Sequence, residues 1–169
     1  MQSSIKINSK SSKLGEDLAV VLRRKAPANE ITWMILGGKQ FMLNEPVSGL
    51  DFLIASGKGV PKLSIENLAN VMDVPMKDMA VLLSLSYKTL ARKKKTDVFG
   101  DLVSSLSIEI ANTIAKGLSV FEDSEKLNRW LHKENKALNM QRPFDLLNTP
   151  TGIKLVNQIL GRIEDGVYS

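Results

Sequence analysis

Apolar residues recur along most of this chain at helical spacing rather than in alternation, and the turns between those stretches are marked by Pro, Gly, Ser and Asn. Leu14, Leu18, Val21 and Leu22 define a short amphipathic helix that runs into Arg23-Arg24-Lys25 and stops at Pro27. The apolar run 31–36 is too short for its periodicity to decide between helix and strand. Residues 37–62 read as a connector holding one short helix near 50–54. From Ser64 a helix carries Ile65, Leu68, Ala69 and Met72 on one face, and Asp73-Val74-Pro75 breaks it. Pro75 opens a second helix with Met79, Ala80, Leu82 and Leu83 as its buried positions. After Ser84-Leu85-Ser86 a third helix, N-capped by Ser86, spans 87–95. A stretch over 102–118 places Leu102, Leu106, Ile110 and Ile114 toward the core.

The C-terminal third has the strongest start and stop signals. Ser124 is positioned to cap a helix that presents Leu127, Trp130 and Leu131. Thr149-Pro150 is a capping residue followed by proline at the first helical position. Ile153, Val156, Ile159, Leu160 and Ile163 then follow at helical spacing, and Gly166 suits the left-handed residue that closes a helix. The whole pattern predicts an all-α fold of about eight helices, with no strand and no internal repeat.

The second and third helices of the middle segment have the spacing of a helix-turn-helix: a small residue, Ala80, where steeply crossing helices approach, a three-residue turn, then a basic helix held by one buried leucine, Leu90. Ser84 stands where such a turn commonly has glycine, so a left-handed serine is expected there. Lys88, Arg92, Lys93, Lys94 and Lys95 have no acid among them between residues 86 and 95. A charge run alone reads as a solvated helix face. At the end of the second helix of a helix-turn-helix it points to DNA, with Ser86, Tyr87, Lys88 and Arg92 on the groove face, Thr89 at backbone or base, and Lys93, Lys94 and Lys95 mainly at phosphates. One such unit offers few base contacts, so a homodimer on a palindromic operator is expected. Arg23-Arg24-Lys25 admits two readings, a complement to its own helix dipole or a basic arm for phosphate or membrane.

Composition narrows the chemistry. The 169 residues are 43% hydrophobic and carry a net charge of +5, which agrees with a globular protein mildly biased toward polyanionic partners. No apolar run approaches a membrane span and no secretory signal is seen. With no cysteine there is no disulfide, thiolate ligand or thiol nucleophile, which fits a reducing cytoplasm. His132, the single histidine, has no acid pair placed to orient it, so no catalytic or metal role is assigned. Gly37-Gly38 lacks the Gly-Lys-Ser/Thr ending of a phosphate loop, and no glycine-flanked nucleophile appears. The chain reads as a binding protein without a cofactor, not an enzyme.

The order Trp130-Leu131, Ala137-Leu138, Arg142-Pro143, Leu146-Leu147, Thr149, Gly152, Val156, Leu160, Gly161-Arg162-Ile163 and Gly166-Val167 resembles the toxin-binding domain of Xre/MbcA/ParS-type antitoxins. Asn139 stands where that family often has glycine, and Asn is the next best residue for positive φ. The resemblance implies an Xre-like helix-turn-helix, into which the 86–92 pattern fits, followed by a small helical toxin-binding domain. The division is then 1–48 as an N-terminal arm, 49–118 as the DNA-binding domain and 119–169 as the toxin-binding domain. It further implies a type II antitoxin whose C-terminal segment blocks the active site of a RES-domain, NAD-consuming toxin and which represses its own operon. Carried onto this chain, the contact residues are Lys154, Gln158, Arg162, Glu164, Asp165 and Tyr168. Arg142 either pairs locally with Asp145 or faces the toxin. Two rivals remain: a stand-alone transcription regulator whose C-terminal domain only oligomerises, and a helical scaffold that binds no DNA.

Overall fold

The computed structural model describes residues 13–167, so Tyr168 lies outside the described residues. These residues form nine α-helices and three short 3₁₀ turns and contain no strand, as an all-α reading requires. Two isolated bridges occur among the described residues, Pro61 with Val98 and Asn135 with Gln141.

The apolar run at 31–36 becomes helical. α1 (Lys13–Arg23) packs on α2 (Ala28–Ile35), which buries Ile31 and Ile35. Arg24 pairs with the buried carboxylate of Glu30 across the intervening turn. α3 (Gly49–Lys58) is opened by a capping box in which Ser48 and Asp51 satisfy each other's backbone N–H groups. α4 (Lys62–Met72) starts two residues before Ser64, because Ser64 is buried and donates its hydroxyl to the Leu36 carbonyl. α5 (Met76–Leu82) and α6 (Tyr87–Arg92) follow.

α7 (Asp101–Phe121) is the axis of the molecule. It touches α2, α3, α4, α8 (Ser124–His132) and α9 (Pro150–Glu164). A helix approached from so many sides needs small residues, and Ser104, Ser107, Ala111, Ala115 and Gly117 are all buried in it. The hydroxyls of Ser107 and Thr113 donate to the carbonyls one turn back, so their burial leaves no donor unmet. A Cβ on Gly117 would come within 2.6 Å of Leu127, so glycine there lets α8 dock. Leu102, expected in the core, is 88% exposed, and the inward row begins instead at Ser104, whose hydroxyl bridges the Val60 N–H and the Phe99 carbonyl.

One connected core runs from Leu18 in α1 to Leu160 in α9. α9 is fastened to α7 by polar contacts as well: Asn157 donates to the Thr113 hydroxyl at 2.9 Å, and Lys116 donates to the Asn157 carbonyl at 3.2 Å. Asn128 of α8 donates to the carbonyl of Val71 at the end of α4, joining the C-terminal helices to the middle segment.

Candidate functional site

The C-terminal unit is assembled from strong local signals. Asp123, not Ser124, caps α8: its carboxylate accepts the N–H groups of Glu125 and Lys126, and Ser124 becomes the first helical residue. Asp123 takes the extended backbone of a capping residue (φ −156°, ψ 119°), while Ser124 is buried in the first turn. Between α8 and α9 the chain makes 3₁₀ turns at Lys136–Leu138 and Pro143–Leu146. Asn139 (φ 54°) and Met140 (φ 62°) are both left-handed, so the asparagine supplies the turn that glycine would. The Thr149 hydroxyl accepts the Gly152 N–H at 3.1 Å, and Pro150 occupies the first turn, as the start signal predicts. Gly152 has no room for a side chain, since a Cβ there would collide with the Leu146 carbonyl. The helix ends on the left-handed Gly166 (φ 72°).

Ile153, Val156, Ile159 and Leu160 face inward and fix what faces out. Lys154, Gln158, Arg162 and Asp165 recur at intervals of three and four residues, so they form one exposed row along α9. Leu155 lies beside that row and is 43% exposed, a residue the inward apolar pattern gave no reason to select. Glu164 falls on the opposite flank, lining a recess with Asn29, Asn112 and Lys116. Arg142 donates from both Nε and Nη2 to Asp145 at 2.7 Å, and this hydrogen bond holds the guanidinium pKa above its ordinary value. That is the local pairing anticipated for it, on an exposed loop.

Beside the end of α9 lies a cleft of about 430 Å³ between Phe121, Trp130, Ile159, Arg162, Ile163 and Val167. Trp130 is half-buried against Phe121, with ring centroids 5.6 Å apart, so it forms a wall of the cleft as well as part of the core. Arg162 thus stands at the junction of the exposed row and an apolar recess. His132 is exposed with its ring 4.8 Å from that of Phe144. No cluster of His, Asp or Glu among the described residues is arranged to hold a metal ion.

The second outward surface is built on α5, a tight turn and α6. The backbone N–H of Leu85 returns to the Ala80 carbonyl at 2.8 Å, and Ser84 takes the left-handed conformation at φ 54°. Ser86 caps α6 by accepting the Thr89 N–H at 3.0 Å, and the two hydroxyls lie 2.7 Å apart. Leu90 is fully buried, while Tyr87, Lys88 and Arg92 are exposed. α6 stops at Arg92, three residues before the expected end, because Lys93 turns to extended geometry and the Asp97 carboxylate takes the Lys94 N–H. The Lys93 ammonium donates to the Val98 carbonyl at 2.8 Å and lies 4.8 Å from the Phe99 ring centroid. Lys62 donates to the carbonyls of Ala91 and Lys93, closing the end of α6. Among the described residues no ion pair engages Lys88, Arg92, Lys94 or Lys95.

These features give the described residues an all-helical fold with two charged outward faces. Among known families, residues 116–166 are similar to the antitoxin Xre/MbcA/ParS C-terminal toxin-binding domain. The match runs from the last turns of α7 through α9, less than a third of the chain. No curated protein matches the chain. No helix of the described residues is long and apolar enough to cross a membrane.

Proposed function

We infer that this protein is a type II antitoxin that binds a RES-domain, NAD-consuming toxin through the outward face of α9 and represses its own operon through α6. The observation that carries the reading is that the matched segment runs from the end of α7 through α9, where Lys154, Gln158, Arg162 and Asp165 project from a helix beside a cleft walled by Trp130 and Ile163. Inhibition needs no chemistry from the antitoxin. A rigid helix laid over the entrance of the toxin's active site excludes NAD by volume, and Arg162 with the Trp130 cleft provides the anchor such an interface requires. Arg142, paired with Asp145, and Glu164, on the other flank of α9, are further proposed contacts outside that row.

The same reading gives α6 to operator DNA, as the second helix of a helix-turn-helix in a cytoplasmic repressor. Tyr87, Lys88 and Arg92 carry the groove face, Lys94 and Lys95 the phosphates. Ser86 and Thr89 act first as the cap of the helix, which leaves Thr89 a lesser role at the DNA. Few base contacts per chain make a homodimer the expected DNA-binding species.

Co-expression with the product of the adjacent gene tests the proposal. A stable complex is expected, with NAD loss by the toxin alone and none by the complex. A protein that binds palindromic DNA but captures no toxin would favour the stand-alone regulator.

A further inference from the structure

α3 carries an apolar face that none of the described residues covers. Leu50, Leu53 and Ile54 point outward, joined by Leu43 and Val47 from the preceding loop and by Leu102 from the start of α7, with exposures from 53% to 89%. Leu102 lies one turn before Ser105, which with Leu53 lines a groove on one flank of α3. On the other flank Leu43 and Ile54 line a second groove of about 350 Å³. The six side chains expose on the order of 700 Å², more than the few hundred Å² of contiguous apolar surface a monomer ordinarily shows and close to one side of a standard interface.

We propose that this face is where two copies of the chain meet, through α3 packed antiparallel to α3 about a two-fold axis. The inference rests on the homodimer expected of a palindrome-binding repressor and names its surface. A second copy is the fitting occupant because the face is self-complementary. The outward positions Leu50, Leu53, Ile54 and Gly57 are symmetric about their midpoint, so an antiparallel pairing sets Leu53 against the partner's Ile54 and Leu50 against the partner's Gly57. Gly57 has open space where its Cβ would be, so nothing among the described residues requires glycine in that helix. Facing leucine gives it a use. The only charges of α3 are Asp51 near its start and Lys58 at its end, and the same pairing brings each toward its opposite on the other copy. The two flanking grooves give the partner's side chains room on either side of the ridge.

The test is the mass of the full-length chain in solution by sedimentation equilibrium, up to about 100 μM. The wild type is expected at twice its 18.7 kDa chain mass. Leu53→Glu should weaken the dimer at least about 100-fold with an unchanged helical circular dichroism spectrum, since it would bury an unpaired carboxylate from each copy against the apolar face near the axis. As a second measurement, the cysteine-free chain allows single thiols. Leu53→Cys should cross-link to its own copy with a short bismaleimide, and Lys133→Cys should not. A wild type that stays monomeric overturns both the homodimer and its surface. A dimer that survives Leu53→Glu, or that fails to cross-link at Leu53→Cys, overturns the surface alone and leaves the homodimer standing.

Discussion

Asp123 and Ser124 sit side by side at the start of α8, and either could cap a helix by type; the structure gives the task to the carboxylate. Asp123→Ala should therefore destabilise the chain by about 1 kcal/mol in urea unfolding. Gly152 is the more demanding position. Gly152→Ala pushes a methyl into the Leu146 carbonyl and should lower stability by roughly 2–3 kcal/mol, with much of the loss read as a lower urea midpoint. Residue-level signals were legible where they were local: Ser86, Thr149-Pro150, Ser84 and Asn139 all take the conformations their types allow. Where two neighbours compete for one role, or where a residue faces a distant segment, sequence spacing carries no information. Gly117 under Leu127 and Ser64 under the Leu36 carbonyl are of the second kind.

Among the elements, α3 and α6 show how helix ends are set by charge. The Asp51 carboxylate accepts the backbone N–H groups of Ser48 and, secondarily, Val47, and these bonds lower its pKa in the folded chain. Its contribution is therefore present above the ordinary aspartate range and is lost as pH falls through the lowered folded value. The thermal stability of wild type should exceed that of Asp51→Asn at about pH 5 and converge with it toward about pH 2. In α6 the ends of the lysine run differ. Lys94→Ala should flatten the dependence of log K on log salt for operator binding by about 0.9, while Lys93→Ala should leave the slope nearly unchanged and loosen the 93–99 loop. Helices with a periodic apolar face were readable from the sequence. The run 31–36 was not, because so short an apolar stretch fits a buried helix and a buried strand equally, and only packing against α7 decides. The position of Leu102 was misread for a related reason: one face of a helix buried on several sides is not marked by its leucines alone.

At the scale of the whole molecule, α7 ties the middle segment and the C-terminal helices into one core. Removing α9 to test toxin binding would strip Ile153, Val156 and Leu160 from that core, so exposed substitutions on α9 are the sounder probe. The order of helices and the family of the last third were legible because their caps and apolar spacings are local; how α9 lies on α7 was not, since Asn157 and Thr113 meet across 44 positions of sequence. The most direct measurement is a titration of the adjacent-gene toxin's NAD consumption with this protein and with a Lys154→Glu, Arg162→Glu variant of unchanged melting temperature. The account predicts complete inhibition by the wild type near equimolar amounts and inhibition by the variant weakened about 100-fold or more. Undiminished NAD loss at saturating wild type, or equal inhibition by both, would contradict it.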